Sequence, residues 1–292
     1  MVKPRPVRRA PAAHLVIVGF GRLGGALSLG LRARGWPVAV FPRSAGSVRR
    51  AAALGFTLAD HETLSSAATC ILAVPDRVIR ERAEALAPDL GPKTALVHCA
   101  GALTLDAFGP SKVVRSRPLG SFHPLVAVSS LDDPLEGHTA ALSATTRPLL
   151  SALKRMARDL GLEAIEVPEK TRSAYHAGAV LAAGGAVALL SSAVRAFDHA
   201  GIPEKPAIRA LIALMRSALR GTERRGLSAG LIGPVVRGDA EIVRAQLAAL
   251  PRPESQLYRA LSLFALDLAH DRLTPDQRGE LEDALADRQG GR

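Results

Sequence analysis

The stretch that most constrains what this chain can fold into is His14 to Gly25, HLVIVGFGRLGG. An apolar run, Leu15-Val16-Ile17-Val18, ends in Gly19-Phe20-Gly21-Arg22-Leu23-Gly24, and a periodic apolar segment from Leu23 to Leu31 follows at once. Strand, glycine turn and helix start therefore arrive in the order that a dinucleotide-binding turn requires. Gly19 allows the tight turn, Gly21 lets a pyrophosphate approach the backbone, and Gly24 lets helix and strand pack closely. The helix N-terminus presents free N–H groups and a partial positive charge to the phosphates. Three spaced glycines recur by chance in a glycine-rich chain. The β-branched run before them and the helical pattern after them supply the context. Gly19, Phe20, Gly21, Arg22, Leu23 and Gly24 are thus the candidate phosphate-binding residues.

The next strand, Val38 to Phe41, ends in Pro42-Arg43-Ser44. This lies roughly 20 residues past the glycines, where an acid would bind the ribose 2′-hydroxyl of NAD. No acid stands there. The Arg43 guanidinium suits a 2′-phosphate and the Ser44 hydroxyl can donate to it, which favours NADP. The alternative is an ordinary surface arginine. Further on, Thr69 to Val74 and Thr94 to Cys99 read as buried strands, and helical segments lie between the strands. That alternation predicts an α/β fold with a doubly wound parallel sheet. Ligands of such sheets sit beyond the carboxyl ends of the strands. Val74, Pro75, Asp76, His98 and Gly101 occupy two of those ends and join the cofactor-binding candidates. Strands are also read at 139–144 and 163–167, with a helix between them.

Beyond Pro168 the pattern turns helical throughout. A long stretch from Glu169 to Ala200 is followed by helices over 206–220, 239–250, 254–270 and 275–288. The expected organisation is a basic, disordered tail over residues 1–12, a nucleotide-binding domain over 13–167 and a helical domain over 168–292. No uncharged apolar run is read as reaching the ~18 residues of a membrane span. The proline-rich start lacks the apolar core of a signal peptide. Cys70 and Cys99 fall at opposite ends of their strands, too far apart to bridge. A reducing cytoplasm with two free buried thiols is expected.

The formal net charge is +11. Nucleic-acid binding is one reading of it. Against this, the arginines are scattered and aromatic residues make up only 3%, which leaves few platforms for stacked bases. An anionic small-molecule substrate fits more simply. No nucleic-acid or membrane partner is expected.

Candidate chemistry begins with Tyr175-His176, near the start of the long helix. A reductase that adds hydride to a C=O or C=N carbon must also protonate the heteroatom, and His passes protons near neutrality. His176 is the leading candidate and Tyr175 the backup donor, against a reading of His176 as a packed seam residue. His123, in Phe122-His123-Pro124, stands in a segment that can return to the same cleft. With His98, Cys99 and His176 it makes a conceivable metal set, but the spacing matches no zinc pattern, and no metal is expected. Arg237, fixed before Asp239, can hold a substrate carboxylate or simply pair with that Asp. Gly178, Gly184 and Gly185 sit inside the long helix at a cost of about 1 kcal/mol each relative to Ala. Ala174, Gly178, Ala182 and Gly185 give a small-residue face, read as tight helix packing, including packing across a dimer, or as close approach to a cofactor.

The motifs GFGRLGGAL, LAVPDRVI, HCAGAL, FHPL, YHAGAV, GPVVRGD and YRALS, in that order, resemble Rossmann-like NADP-dependent oxidoreductases with a C-terminal domain of unknown function. These are similar to pyrroline-5-carboxylate reductase, 6-phosphogluconate dehydrogenase and β-hydroxyacid dehydrogenases. The resemblance runs from about His14 to His270. It implies a Rossmann-type sheet followed by an all-helical, 6-phosphogluconate-dehydrogenase-like C-terminal domain, an NADP cofactor and a homodimer. Two departures stand out. Gly184 occupies the place where an Asn is expected and Val180 the place of a catalytic Lys, so a β-hydroxyacid dehydrogenase mechanism is disfavoured and His176 gains weight. The expected activity is NADP(H)-dependent oxidoreduction of a small keto, imino or hydroxy acid. The alternative is a non-catalytic NADP-binding sensor or scaffold.

Overall fold

The structure, a computed structural model, describes residues 15–286. The basic tail over residues 1–12, His14 and the end of the last helix at Arg288 lie outside the described residues. The chain divides into two compact units, 1–181 and 182–292. The division falls later than the 167/168 boundary read from Pro168. The first turns of the long helical stretch go with the sheet because Arg172 and Tyr175 bond into it.

The first unit is built on one eight-stranded sheet. Its strands are β1 (Leu15–Val18), β2 (Val38–Phe41), β3 (Thr57–Leu58), β4 (Thr69–Leu72), β5 (Ala95–His98), β6 (Leu119–Leu125), β7 (Thr139–Ala144) and β8 (Glu163–Glu166). They lie in the order β3-β2-β1-β4-β5-β6-β7-β8. From β3 to β6 every pair is parallel, and the order reverses between β1 and β4, as in a doubly wound sheet. β7 then returns antiparallel to β6, and β8 pairs parallel with β7. The sheet is therefore mixed where a wholly parallel one was expected. No helix lies between β6 and β7, so there is no crossover element to carry β7 back into parallel register.

The helices of this unit are α1 (Arg22–Ala33), α2 (Ala45–Ala53), α3 (His61–Ser66), α4 (Ile79–Leu86), α5 (Lys112–Arg115), α6 (Arg147–Asp159) and α7 (Arg172–Ala182). β1 and β5 are buried along their whole length, as central parallel strands covered on both faces must be. On one face Ile17 and Val97 pack with Leu27, Leu31, Leu153 and Met156 from α1 and α6. On the other, Val16 and Leu96 pack with Ile79, Ala83 and Leu86 from α4. Cys70 and Cys99 are free and buried, and desolvation pushes each thiol up to about 12.

The second unit contains α8 (Gly184–His199), α9 (Glu204–Gly230), α10 (Pro234–Arg237), α11 (Ala240–Ala249), α12 (Arg252–Leu268) and α13 (Pro275–Leu285), with no strand among the described residues. Val235, Val243, Leu266 and Leu281 form its core. α9 runs past Arg220, where the sequence placed its end, and is broken only at Gly226, whose φ is 79°. α10 is one turn inside a segment read as loop.

The expectation of no membrane-length apolar run needs correction. The helical stretch Glu169–His199 has a mean hydropathy of 1.9 over its most apolar window and is long and apolar enough, by length and composition alone, to cross a membrane. Ser173 to Val194 holds no Asp, Glu, Lys or Arg. Its apolarity comes mostly from Ala and Gly, which reads weakly as a hydrophobic run. Ala183 (φ −95°, ψ −71°) separates α7 from α8 within the stretch. A Cβ at Gly178 would meet nothing within 4 Å, so this glycine has no close neighbour within the chain.

Candidate functional site

The glycine turn is built by backbone contacts. Gly19 has φ +96°, and a Cβ there would lie 2.4 Å from the Ala73 carbonyl oxygen at the β4 tip. A Cβ at Gly24 would lie 2.1 Å from the Gly19 carbonyl oxygen. Both positions therefore require glycine, one for conformation and one for closeness. Gly21 differs, because a Cβ there would meet nothing within 4 Å. It is the N-cap of α1, makes no side-chain cap, and the first turn of α1 carries no acid. The first N–H groups of α1 and their positive end of the helix dipole thus open onto free space at Gly21. Such a cradle fits a pyrophosphate.

The side chains of the turn are placed differently from the glycines. Phe20 is 1% exposed, and its ring meets Phe56 edge-on at 5.3 Å between centroids. Leu23 packs against the main core. Only the backbones of these two candidates line the turn, while Arg22 is exposed. Arg43 is exposed beyond the β2 tip. The Ser44 hydroxyl accepts from the Ser47 N–H at 3.2 Å and caps α2. The hydroxyl offered above to a 2′-phosphate is therefore engaged in starting α2. Val74 is partly buried at the β4 tip, and Pro75 and Asp76 are exposed.

His98 at the β5 tip is completely buried. Its Nδ1 accepts from the Ala100 N–H at 3.2 Å, and its ring packs on Phe108 at 5.3 Å. Burial, with the Arg172 cation in support, holds its pKa down at about 4. As a cofactor-binding candidate His98 can offer only its backbone at the strand tip, because its imidazole is completely buried against Phe108.

Gly101, His123, Tyr175 and His176 do come together. A Cβ at Gly101 would lie 2.3 Å from His176 Cδ2 and 2.8 Å from His123 Cε1 and Nε2. The His123 and His176 rings meet edge-on at 5.7 Å. His123 Nδ1 lies 2.8 Å from the Tyr175 hydroxyl. Burial first, then His176 and Arg172, hold His123 down at about 4, so its ring is neutral at neutral pH. Burial raises the Tyr175 phenol, and Arg172 opposes that rise. With His123 neutral, the phenol can donate to Nδ1, which leaves Nε2–H facing Gly101 and His176. The arrangement is a short chain of groups able to pass a proton.

Sequence reasoning missed the residues beneath this cluster. Arg172 is completely buried on the first turn of α7. It donates to Ser143 Oγ and to the Ala100 carbonyl oxygen, each at 3.3 Å. Ser143 Oγ lies 3.0 Å from Ser121 Oγ across the β6–β7 pair. A signal was present: Arg172 precedes Tyr175 and His176 by three and four positions and so shares their helix face. Arg237, by contrast, is exposed and donates Nε to Asp239 at 2.8 Å, the plain ion pair weighed above. Among the described residues no group of three or more His, Cys, Asp or Glu is placed to hold a metal ion.

Comparison with known proteins now bears on this geometry. Residues 139–264 match a family described as "Domain of unknown function (DUF2520)". No curated protein matches the chain. Solved structures do. One is a protein from Bacteroides fragilis named as an NADP oxidoreductase, 19% identical, with a TM-score of 0.68 over 88% of this chain and 98% of that one. Protein TM1727 from Thermotoga maritima is 24% identical, with the same TM-score and coverage. A 1-pyrroline-5-carboxylate reductase from Streptococcus pyogenes is 16% identical, with a TM-score of 0.61 over 87% and 98% of the two chains. The fold is that of Rossmann-like oxidoreductases. The resemblance read from the motifs thus holds for the fold and for a match to a domain of unknown function over residues 139–264.

Proposed function

We propose that this chain is an NADP(H)-dependent oxidoreductase acting on a small keto, imino or hydroxy acid. The observation that carries the reading is the pairing, within one unit, of an uncapped glycine turn with the Tyr175–His123–His176 cluster at a nearby strand tip. A nicotinamide nucleotide bound at Gly19–Gly24 would supply the hydride. The chain's own part is to bind the phosphates through the N–H groups of α1 and to move a proton through His176, His123 and Tyr175. Arg43 at the β2 tip, with no acid beside it, supports NADP over NAD.

A second reading, a non-catalytic NADP sensor or scaffold, is favoured by Gly184 and Val180 standing where related dehydrogenases carry Asn and Lys. We further infer a homodimer through the second unit, where Leu214, Leu219, Leu227 and Phe264 are each 60% or more exposed.

The test is a thermal-shift titration with NADPH and NADH. NADPH is expected to raise the melting temperature more than NADH, and Arg43→Asp to remove that preference. No shift with either nucleotide overturns both readings. Oxidation of NADPH against pools of keto acids and imines then separates enzyme from sensor, and light scattering of the same sample reads the dimer.

A further inference from the structure

The three proton-carrying side chains come from two segments, β6 and α7, and they meet over Gly101 just past β5. Something must hold these three segments in register. One buried guanidinium on α7 touches the segment after β5 directly and reaches β6 through its partner strand β7. Arg172 leaves the first turn of α7, donates to the Ala100 carbonyl next to Gly101, and donates to Ser143 Oγ, which bonds Ser121 two residues before His123. Its counter-charge is Glu169, whose Oε1 lies 3.8 Å from Arg172 Nη1. The other Glu169 oxygen accepts the Leu105 N–H at 2.6 Å, so the acid is itself tied to the segment after β5. Arg172 Nε has no hydrogen-bond partner among the described residues, and the pair is separated rather than bidentate. A buried, incompletely satisfied cation is costly, and an apolar residue would fill its place more stably. Its three-way contact points to a task other than stability.

We propose that Arg172 is the positioning residue of this site, a buried fork that draws α7, the β5 tip and the β6–β7 pair together so that Tyr175, His123 and His176 meet over Gly101. This rests on the reading of that cluster as the proton-moving part of an oxidoreductase. The charges facing the cluster are Arg172, Glu169, His98, His123, His176 and Tyr175. Arg172 is the only permanent cation among them, and it disfavours a second positive charge on either His98 or His123. The same group therefore holds the geometry of the relay and adds to the burial that keeps its imidazoles neutral.

The test needs no substrate. The full chain is labelled at histidine and titrated by NMR, reading the midpoint and tautomer of His123 in the wild type, Arg172→Met and Arg172→Lys. In Arg172→Met the midpoint is expected to rise by about 1 unit, with loss of the single tautomer fixed by Tyr175. In Arg172→Lys, which keeps charge and loses the fork, the midpoint should stay low while the tautomer is lost. An unchanged midpoint and tautomer in folded Arg172→Met overturns the proposal. Should that variant fail to fold, Glu169→Gln carries the test. Unpairing the guanidinium should lower the His123 midpoint further, and no change overturns the proposal. Melting shifts with NADPH are read on the wild type alongside. A shift without the histidine effects sinks the positioning role alone. The histidine effects without a shift sink the cofactor reading alone.

Discussion

The glycine turn and the histidine cluster are both functional candidates, and they are made of different material. The turn is contiguous, and its contacts are backbone to backbone: Gly19 against Ala73, Gly24 against Gly19, Gly25 N–H to Gly21 O at 2.8 Å. Its side chains either vanish into the core, as Phe20 does, or point to solvent, as Arg22 does. The cluster is made of side chains gathered from β6 and α7, set over a glycine past β5, and supported by a buried arginine. A backbone site is robust to most side-chain changes and intolerant of a single Cβ. A side-chain site has the opposite sensitivity.

The largest expected effect tests the first half of that contrast. In Gly24→Ala the new Cβ would press on the Gly19 carbonyl, which cannot yield without moving α1 off β1. Stability should fall by about 1–3 kcal/mol, with loss of the NADPH melting shift. Chemical denaturation and nucleotide titration read both. A variant with wild-type values would show that the turn is not closed as described.

Gly101→Ala is the matching probe of the cluster. Its Cβ collides with the His176 and His123 rings and leaves the turn alone. Turnover of NADPH with any acceptor found should fall by about 10²-fold, with the nucleotide melting shift retained. Tyr175→Phe should act in the same direction. Equal turnover in all three proteins would remove the cluster from the chemistry.

The third effect is on pH dependence. His98 and His123 titrate near 4 when folded and near 6.5 when unfolded. Below pH 6.5 the unfolded chain takes up protons that the folded chain refuses, so stability falls on acidification and levels off near 4. Each histidine contributes about 1.4 kcal/mol per pH unit inside that window. Urea midpoints from pH 7.5 to 4.5 should be flat above pH 7 and then decline. The decline should shrink in His98→Phe, whose neighbour Phe108 is already apolar. A flat profile down to pH 5 would mean that the histidines are not desolvated.

The smallest effect lies outside both regions. Arg237 and Asp239 form an exposed pair, and Arg237→Ala should change stability by no more than ~0.5 kcal/mol. A rise in KM with stability unchanged would mark Arg237 as a carboxylate holder.

The contrast also explains what could be read in advance. A turn whose purpose is backbone geometry leaves its mark as fixed glycine spacing, so Gly19, Gly21 and Gly24 were recognisable one after another. The same spacing said nothing of where Phe20 would point, because that depends on the β2–α2 layer and on Phe56. Tyr175 and His176 were visible as a pair of reactive side chains near a helix start. Their meeting with His123, 52 positions away, was only a conjecture. His98 looked equivalent to His123. Both stand in strands, His98 at the end of β5 and His123 within β6, but the His98 ring packs on Phe108 while the His123 ring meets Tyr175 and His176. Arg172 shares the helix face of Tyr175 and His176, but in a chain with 38 basic residues that spacing does not say which arginine is buried.

The sequence by itself determined the layered α/β arrangement of the first unit, the helical character of the second, and the place of the glycine turn. Each of these rests on local periodicity, glycine spacing and strand-forming runs, which act over a few residues. Tertiary structure alone decided that β7 returns antiparallel and that His98 packs on Phe108 while His123 meets Tyr175 and His176. It also decided that a buried guanidinium joins three segments. Those outcomes depend on which faces pack together and on the desolvation that packing imposes, and no window of neighbouring residues contains that information.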